Sequence, residues 1–396
     1  MAERGQQPDR KETAQRDAWA RIARVPGLSG RRLLELLPAV GGPEALCATP
    51  AGELRGMGFE APQVEALLHP DPEKLDRDRA WLAPEGHHIL GVTDKDYPAL
   101  LQQIPGPPAV LWVRGDPGAL WQPQVAMVGS RNPTAGGRDH ARDFARSLAA
   151  DGWCITSGLA AGIDVTAHLG ALEGGGATVA VLGTGPDIVY PARNAEVAEA
   201  IVARGALVTE LAPGAPPRRQ HFPSRNRIIA GLSLGVLVVE AALNSGSLIT
   251  ARLAAEQGRE VFALPGSLHN PMVRGCHRLI KQGARLAEST DDITGALAPI
   301  AGELARALQR RIATEDEAEA RPNNGETADE EWLEDEDYAR LWSALGHDPV
   351  SQDRLAERTG LGVREISSML LMLELRGLVT TVTGGRVARR NGPGGA

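Results

Sequence analysis

The sequence predicts an α/β protein with a mostly parallel central sheet, a helical module before the sheet domain and a winged helix after it. Between residues 125 and 264, short apolar segments alternate with helical segments, and several apolar segments end in Gly or Ser. This alternation is typical of parallel strands that helices cover on both faces. The 42% of hydrophobic and 23% of charged residues are typical of a globular chain.

Residues 15–80 are predicted to form a module of short helices. Pro26 and Gly27 make a turn before the amphipathic run 28–37, and a second Gly-rich turn at 54–58 precedes the apolar run 64–68. Helices that start at such turns can hold a phosphate on their free N–H groups, as in a helix-hairpin-helix. The pattern fits equally well a module that only packs or dimerises.

Residues 85–300 are predicted to form the sheet domain, which begins with a Pro-rich connector around Pro98 and 105–108. In open parallel sheets, ligands bind just beyond the carboxyl ends of the strands. The loops that follow the strands are therefore the expected site. The predicted strands are 125–128, 153–156, 177–182, 207–210, 236–240 and 261–264.

Residues 301–337 are predicted to be an acidic flexible linker. From Thr314 to Tyr338 the chain has twelve acidic residues and one arginine, so this stretch carries −11 while the whole chain carries −8. The rest of the chain therefore carries +3. A mildly basic body is compatible with phosphate binding.

Residues 338–390 are predicted to form a winged helix, a relative of the helix-turn-helix. Three helical segments precede a hairpin around Gly384 and Gly385, and Ser351 is a suitable N-cap for the second segment. The third helix, 363–376, is the element that would read DNA. Such modules also mediate protein contacts, and the sequence leaves both roles open.

Several kinds of site are not expected. Cys47, Cys154 and Cys276 lie far apart without a CxxC spacing, which argues against a disulfide framework and a cysteine zinc site. No spacing of ligands predicts a metal. The run 183–185 begins like a dinucleotide fingerprint, but Ile188 replaces its third glycine and no Walker A motif occurs. We therefore expect neither a metal nor a cofactor.

Location and catalysis follow from similar arguments. The N-terminus lacks the apolar segment of a signal peptide, no run is long enough to span a membrane, and isolated thiols suit the cytoplasm.

Asp164 and His168 are four residues apart and could share a helix face. No serine or cysteine nucleophile accompanies them, and Asp164 suits a helix start. We expect a structural role for both residues and no enzymatic activity.

The loops after the strands carry small and basic residues that suit a phosphate ligand. Glycine allows close approach, serine can donate a hydrogen bond and arginine can pair bidentately with a phosphate. The alternative is a set of strand-end turns with a surface arginine. The candidate residues are Gly129, Ser130, Arg131, Ser157, Gly158, Ser245, Gly246 and Ser247.

The stretch 218–227 adds an aromatic ring among arginines. An exposed ring can stack on a base and guanidinium groups can pair with phosphates, as in single-strand binding. In the alternative interpretation, Phe222 is part of the core. We also expect Arg225 or Arg227 to form an internal pair with Glu240 or Glu210. The candidate residues in this stretch are Arg219, Phe222, Arg225 and Arg227.

Taken together, these motifs resemble the DprA/Smf family of DNA-processing proteins. The similarity covers about residues 85–290, and the flanking modules resemble those of long family members. The motifs that carry it are Gly129-Ser130-Arg131, Ser157-Gly158-Leu159-Ala160, Gly162-Ile163-Asp164, Gly183-Thr184-Gly185, Tyr190-Pro191, Asn194, Phe222-Pro223, Arg225-Asn226-Arg227, the run from Ser245 to Ala251, and Pro265-Gly266.

The resemblance implies an extended Rossmann-like domain that binds single-stranded DNA as a homodimer. It also implies that the protein protects incoming DNA in natural transformation and helps load RecA. By position, Arg131 and Arg219 would contact phosphates and Phe222 a base, while Ser130, Ser157 and Ser247 would line the phosphate path. In one departure, His277 stands where the family usually has Asn.

Two other functions are compatible with parts of the sequence. A related sheet occurs in nucleotide-cleaving hydrolases of the lysine-decarboxylase-like group. These carry a Pro-Gly-Gly-x-Gly-Thr loop, which the runs 244–247 and 265–267 lack. The other alternative is a scaffold that docks proteins through the winged helix and has little affinity for nucleic acid.

Overall fold

The structure is a computed structural model that describes residues 10–319, 336–346, 349–375, 378–382 and 386–389. The chain forms two compact units, one up to Asp292 and one from Ile293 onward. The first unit contains the N-terminal helices and a nine-stranded sheet. The second contains a three-stranded sheet with its own helices.

Six helices form the N-terminal module. Ser29 caps the second helix, because its Oγ accepts a hydrogen bond from the Arg32 N–H. The Gly30 N–H at the start of this helix donates to the Pro107 carbonyl oxygen at 3.2 Å. This helix start therefore packs on the sheet domain, which favours the packing alternative over a phosphate site there. The helices are α1 (Arg10–Ala23), α2 (Gly30–Val40), α3 (Pro43–Ala48), α4 (Ala51–Gly56), α5 (Ala61–Leu68) and α6 (Pro72–Leu82).

The central sheet confirms the mostly parallel α/β prediction. Its strands β3 to β9 run parallel, and β1 and β2 extend one edge in antiparallel pairing. The strands are β1 (His87–Gly91), β2 (Val110–Gly115), β3 (Gln124–Val128), β4 (Cys154–Ser157), β5 (Thr178–Val181), β6 (Ala206–Thr209), β7 (Gly235–Val238), β8 (Glu260–Ala263) and β9 (Arg285–Leu286).

The strand order is β1-β2-β6-β5-β4-β3-β7-β8-β9. The order therefore changes direction at β3, with β4, β5 and β6 on one side and β7, β8 and β9 on the other. A crevice forms at such a point, outside the carboxyl ends of β3 and β7. The helices of this domain are α7 (Ala99–Gln102), α8 (Ala135–Ala150), α9 (Ile163–Glu173), α10 (Ala195–Val202), α11 (His221–Leu232), α12 (Ser247–Glu256) and α13 (Arg274–Lys281).

All six predicted strands overlap observed ones, and two further strands, which were not predicted, lie on either side of the Pro-rich connector. Residues 87–91 and 110–115 form β1 and β2, whose antiparallel pairing is a tertiary contact that local periodicity does not reveal. Helix α11 was not predicted either. It begins at His221 and contains Pro223 in its first turn, where a missing N–H is tolerated.

The second unit contains the predicted winged helix. Ser351 caps its second helix as expected, since its Oγ accepts from the Arg354 N–H. Buried Leu341, Leu355, Leu373 and Val387 form its core. The elements are α15 (Glu336–Leu345), β10 (Val350–Ser351), α16 (Gln352–Thr359), α17 (Val363–Leu375), β11 (Val379–Val382) and β12 (Arg386–Arg389), in the sheet order β10-β12-β11.

Part of the predicted linker is helical. Helix α14 (Thr290–Glu319) continues through residues 301–319, which are rich in Ala, Leu, Arg and Glu, all good helix formers. The predicted linker segment 320–335 and the turn around Gly384 and Gly385 lie outside the described residues. Within the described ranges, no helix is long and apolar enough to cross a bilayer.

Trp19 anchors the N-terminal helices on the sheet domain. Its side chain is buried, and its indole Nε1 donates to the Asp94 carboxylate at 3.0 Å. We predict that Trp19→Ala lowers the free energy of unfolding by about 3–5 kcal/mol, because it removes a large buried ring. Urea denaturation measures this change. Leu268→Ala is the control, since Leu268 is 79% exposed and its truncation should cost at most about 0.5 kcal/mol. Equal small losses in both variants would contradict the packing described here.

Candidate nucleic-acid interface

The four predicted loops lie along one edge of the sheet. Strands β5, β4, β3 and β7 are neighbours and run parallel, so their carboxyl ends meet at the same edge. Residues 129–131 follow β3, 157–158 lie at the end of β4, 183–185 follow β5, and 245–247 lead into α12, which begins at Ser247. The structure therefore brings together residues that are more than 100 positions apart in sequence.

Arg131 is exposed at this edge on a loop that the backbone holds in place. The neighbouring Ser130 N–H donates to the Glu240 carbonyl oxygen at 2.7 Å, and the Ser130 carbonyl oxygen accepts from the Ile163 N–H at 3.1 Å. The guanidinium carbon of Arg131 lies 6.0 Å from the centroid of the Phe222 ring. No carboxylate in the described part of the chain forms an ion pair with Arg131, so its charge is available to a ligand.

Phe222 and Tyr190 form an aromatic pair beside Arg131. The Phe222 ring is half-buried and lies on Gly183, where an added Cβ would come within 2.8 Å of the ring. The Tyr190 ring is 48% exposed, and its centroid lies 5.5 Å from that of Phe222 at a tilt of 46°. Tyr190 was not among the predicted site residues. The scarcity of aromatics, at 4% of the chain, was the signal that could have singled it out.

Arg225 lies beneath this pair and is not presented to solvent, which corrects its assignment as a direct DNA contact. Its side chain is buried, Nη1 donates to the Val181 carbonyl oxygen at 2.8 Å, and the guanidinium carbon is 5.4 Å from the Phe222 centroid. Gly158 lies directly against both this guanidinium and the Asp164 carboxylate. Burial lowers the pKa of Arg225 to about 10, although the Asp164 charge acts in the opposite direction.

Arg227 forms the internal pair that we expected of one of the two arginines. Its Nη1 and Nη2 donate to the two carboxylate oxygens of Glu210 at 2.7 and 2.6 Å, and its Nε donates to the Gly106 carbonyl oxygen. Because these donors are already engaged, Arg227 is also removed from the set of direct DNA contacts. Its role is to fix the start of α11.

The predicted serines differ in their availability. Ser157 is fully buried and its hydroxyl donates to the Met127 carbonyl oxygen at 2.6 Å, so this side chain cannot line an exposed path. Ser130 is buried, and its Oγ accepts from the Asn132 N–H. Ser245 and Ser247 pair with each other through their hydroxyls at 2.7 Å. The exposed Gly246 lies between them and leaves the backbone open to a ligand.

Glu240 occupies the crevice between β3 and β7. Its carboxylate accepts hydrogen bonds from the Thr134 N–H at 2.8 Å, the Thr134 hydroxyl at 2.9 Å and the Asn270 amide at 3.2 Å. Thr134 is the N-cap of α8, and a helix N-terminus at this point is where dinucleotide-binding sheets hold a phosphate. The chain therefore places its own anion at that position.

Asp164 and His168 do not form a catalytic pair. The Asp164 carboxylate accepts from the Ala160 N–H, and burial raises its pKa above the usual range while Arg225 acts to lower it. The buried His168 ring has its Nδ1 2.7 Å from the Thr178 hydroxyl oxygen, and burial lowers its pKa to about 3. Both side chains thus have internal hydrogen-bond partners, which fits the structural role predicted for them. No cluster of potential metal-ligating side chains occurs among the described residues.

Arg219 is exposed in the loop between β6 and α11, as is its neighbour Arg218. Among the residues that the structure describes, no carboxylate forms an ion pair with either side chain. Exposed cations therefore occur on two loops, with Arg131 after β3 and Arg218 and Arg219 just before α11, the helix that contains Phe222.

Comparison with known families gives three matches along the chain. Residues 88–298 match the family described as DNA recombination-mediator protein A. Residues 14–78 match the SMF/DprA SAM domain, and residues 319–385 match the DprA winged helix domain. The chain belongs to the DprA/Smf family. This confirms the family resemblance and the N-terminal helical and C-terminal winged-helix modules.

Individual relatives agree. Protein Smf of Escherichia coli is 38% identical over 376 residues, which cover 94% of this chain and 96% of that protein. The X-ray structure of DNA processing protein A from Streptococcus pneumoniae has 35% identity and a TM-score of 0.63, and covers 70% of this chain and 97% of that one. DNA processing protein A from Helicobacter pylori, a structure of which describes its single-stranded DNA binding mode, has 30% identity over 54% of this chain and 96% of that one, with a TM-score of 0.48.

His277, the departure from the family pattern, is accommodated locally. One of its ring nitrogens, Nε2, lies 3.1 Å from the Gly266 carbonyl oxygen, and the side chain is at least partly exposed. The histidine thus joins α13 to the loop after β8.

The buried position of Arg225 leads to a prediction about stability. Arg225→Met leaves the Asp164 carboxylate in the interior without its cation, so we expect the free energy of unfolding to fall by about 3–5 kcal/mol. Arg131→Met, the matched exposed control, should change it by no more than about 0.5 kcal/mol. Urea denaturation of both variants at neutral pH measures the difference. A stable Arg225→Met protein would show that the buried guanidinium is dispensable.

Proposed function

We propose that this protein binds single-stranded DNA along the carboxyl edge of its sheet and acts without catalysis. In this proposal Phe222 stacks on a base while Arg131 and Arg219 pair with phosphates. As a family member it would protect incoming DNA in natural transformation and help to load RecA, working as a homodimer in the cytoplasm. The buried free thiols Cys47, Cys154 and Cys276 support a reducing compartment.

The observation that carries the proposal is the Phe222–Tyr190 pair beside the unpaired Arg131. Aromatic rings stack on bases of any sequence, and each such contact contributes about 1–3 kcal/mol. In a duplex the base faces are already stacked on one another. A site built on exposed rings therefore favours a single strand over a duplex.

Phosphate recognition is the second component. Among the described residues, Arg131 and Arg219 form no ion pair, and the exposed Gly246 leaves its own N–H accessible just before α12. Pairing arginines with phosphates releases counterions, so the affinity should fall as salt rises. Non-catalytic action is supported by the structural engagement of Asp164 and His168.

Substitution at the ring and at the exposed arginine tests the proposal. Phe222→Leu keeps apolar volume but loses the flat face, and we predict about tenfold weaker binding of a labelled oligo-dT, whereas Phe222→Tyr should bind like the parent. Arg131→Ala should weaken binding by a similar factor. Fluorescence anisotropy gives the dissociation constants, and circular dichroism verifies folding.

Arg204→Ala is the matched control for Arg131. Arg204 is exposed just before β6, at the amino-terminal end of that strand and so at the opposite edge of the sheet. Its removal subtracts the same charge and should leave the affinity nearly unchanged. Parent-like affinity in both Phe222→Leu and Arg131→Ala would refute this site. Release of free base from nucleoside monophosphates by the parent protein would favour the hydrolase alternative instead.

A further inference from the structure

The N-terminal module contacts the loop that carries Arg218 and Arg219. We call residues 212–215, which precede these arginines, the stem of the loop. The Nη2 atom of Arg24, in the turn that follows α1, donates to the Pro213 carbonyl oxygen in the stem at 3.1 Å. A residue of the N-terminal module is thus hydrogen-bonded to the base of a candidate DNA-contact loop.

The Arg24 guanidinium is held rigidly. Its Nε and Nη2 donate to the two carboxylate oxygens of Asp78, in α6, at 3.0 and 2.6 Å. The Asp78 side chain is fully buried, whereas that of Arg24 is 20% exposed. A bidentate pair with a buried carboxylate fixes the orientation of the guanidinium group, and with it the direction of the second N–H of Nη2. The hydrogen bond to Pro213 therefore has a fixed geometry, because the Arg24 side chain has little freedom to move.

A second contact reaches the stem from the same module. Arg77, next to Asp78 in α6, lies over Gly214, where an added Cβ would come within 2.3 Å of the Arg77 Nη1. From the other side, the Gly214 N–H donates to both carboxylate oxygens of Asp187, at 2.8 and 3.0 Å. The stem is thus held between α6 and the loop that carries Tyr190.

The segment between the stem and the arginines is stiff. Pro216 and Pro217 directly precede Arg218, and each proline ring fixes φ near −65°. The His221 N–H, at the start of α11, donates to the Arg218 carbonyl oxygen at 3.0 Å. A displacement of the stem is therefore transmitted to Arg218 and Arg219 instead of being absorbed between them.

We infer that Arg24, held by Asp78, and Arg77 are positioning residues for DNA binding, and that they act through the placement of Arg219. The inference rests on the proposed function, since it assumes that Arg219 contacts phosphate. The N-terminal module then contributes to affinity without touching DNA itself. Arg24 suits this indirect role, because its Nε and Nη2 are engaged by Asp78 and Pro213.

Arg24→Lys tests the inference because it preserves the charge and removes the fork that joins Asp78 to Pro213. We expect about fivefold weaker oligo-dT binding in the parent background, and no more than about a twofold change in an Arg219→Ala background, since coupled residues are not additive. Arg79→Lys is the matched control. It makes the same substitution at an arginine of α6 that forms an exposed pair with Asp17 and no hydrogen bond to the stem among the described residues, and it should leave the affinity unchanged.

The outcomes separate this inference from the proposed function. Parent-like binding by Arg24→Lys, with Arg219→Ala weakened, would overturn the positioning role and leave the proposed site intact. An equal loss from Arg24→Lys in both backgrounds would overturn it too, because the effect would not pass through Arg219. Parent-like binding by Arg219→Ala would instead contradict the proposed phosphate contact.

If Arg24→Lys fails to fold, Arg77→Gln replaces it. Arg77 is exposed, so its loss leaves no buried charge unpaired. The same non-additivity with Arg219→Ala is expected, and thermal unfolding should be unchanged. A direct contact between Arg77 and DNA would instead add to the Arg219 effect, and this result would contradict the inference.

Discussion

The buried Arg225 guanidinium is the contact on which the binding edge depends. It joins the end of β5 through the Val181 carbonyl oxygen, lies against Gly158 at the end of β4, and lies below the Phe222 ring. The Asp164 carboxylate at the start of α9 supplies the compensating charge. A buried charge is tolerated only with such a partner and with hydrogen bonds. One arginine thus aligns two strand ends, one helix start and the ring above them.

Glu240 determines where a ligand can bind on this edge. In an open parallel sheet the crevice at the change of strand order is the usual ligand site. Here the carboxylate of Glu240 accepts hydrogen bonds from the N–H and the hydroxyl of Thr134 at the start of α8. Its carbonyl oxygen also holds the Ser130 N–H, so the same residue fixes the loop that presents Arg131. The favourable positions for phosphate are therefore the exposed arginines around the crevice.

Much of the fold was predictable because the signals are local. Apolar runs such as 125–128 and 236–240 are short and bounded by Gly or polar residues, and the cap at Ser351 depends on its immediate neighbours. Strands β1 and β2 were not predicted, because their pairing depends on β6, which lies about 90 residues further along the chain. The acidic residues also suggested a flexible linker from residue 301, whereas helix α14 continues to Glu319.

The sequence was sufficient to predict which loops form the site, but not which side chains in those loops are available to a ligand. The order of the motifs correctly predicted that Arg131 and Phe222 lie at the same edge of the sheet. Sequence could not reveal that Arg225 is buried, since its environment includes Asp164 and Val181, 61 and 44 positions earlier. Nor could it show that the Ser157 hydroxyl donates to Met127 or that Tyr190 lies beside Phe222. These facts depend on which strands are neighbours.

The most direct test of the account is a titration of the full chain against labelled oligo-dT and a duplex of equal length over a salt series. The account predicts a clear preference for the single strand. It also predicts a log-log salt slope near −1.4, since each phosphate neutralised by Arg131 or Arg219 contributes about −0.7. Equal affinity for the duplex, or binding insensitive to salt, would contradict a surface built from exposed rings and unpaired arginines.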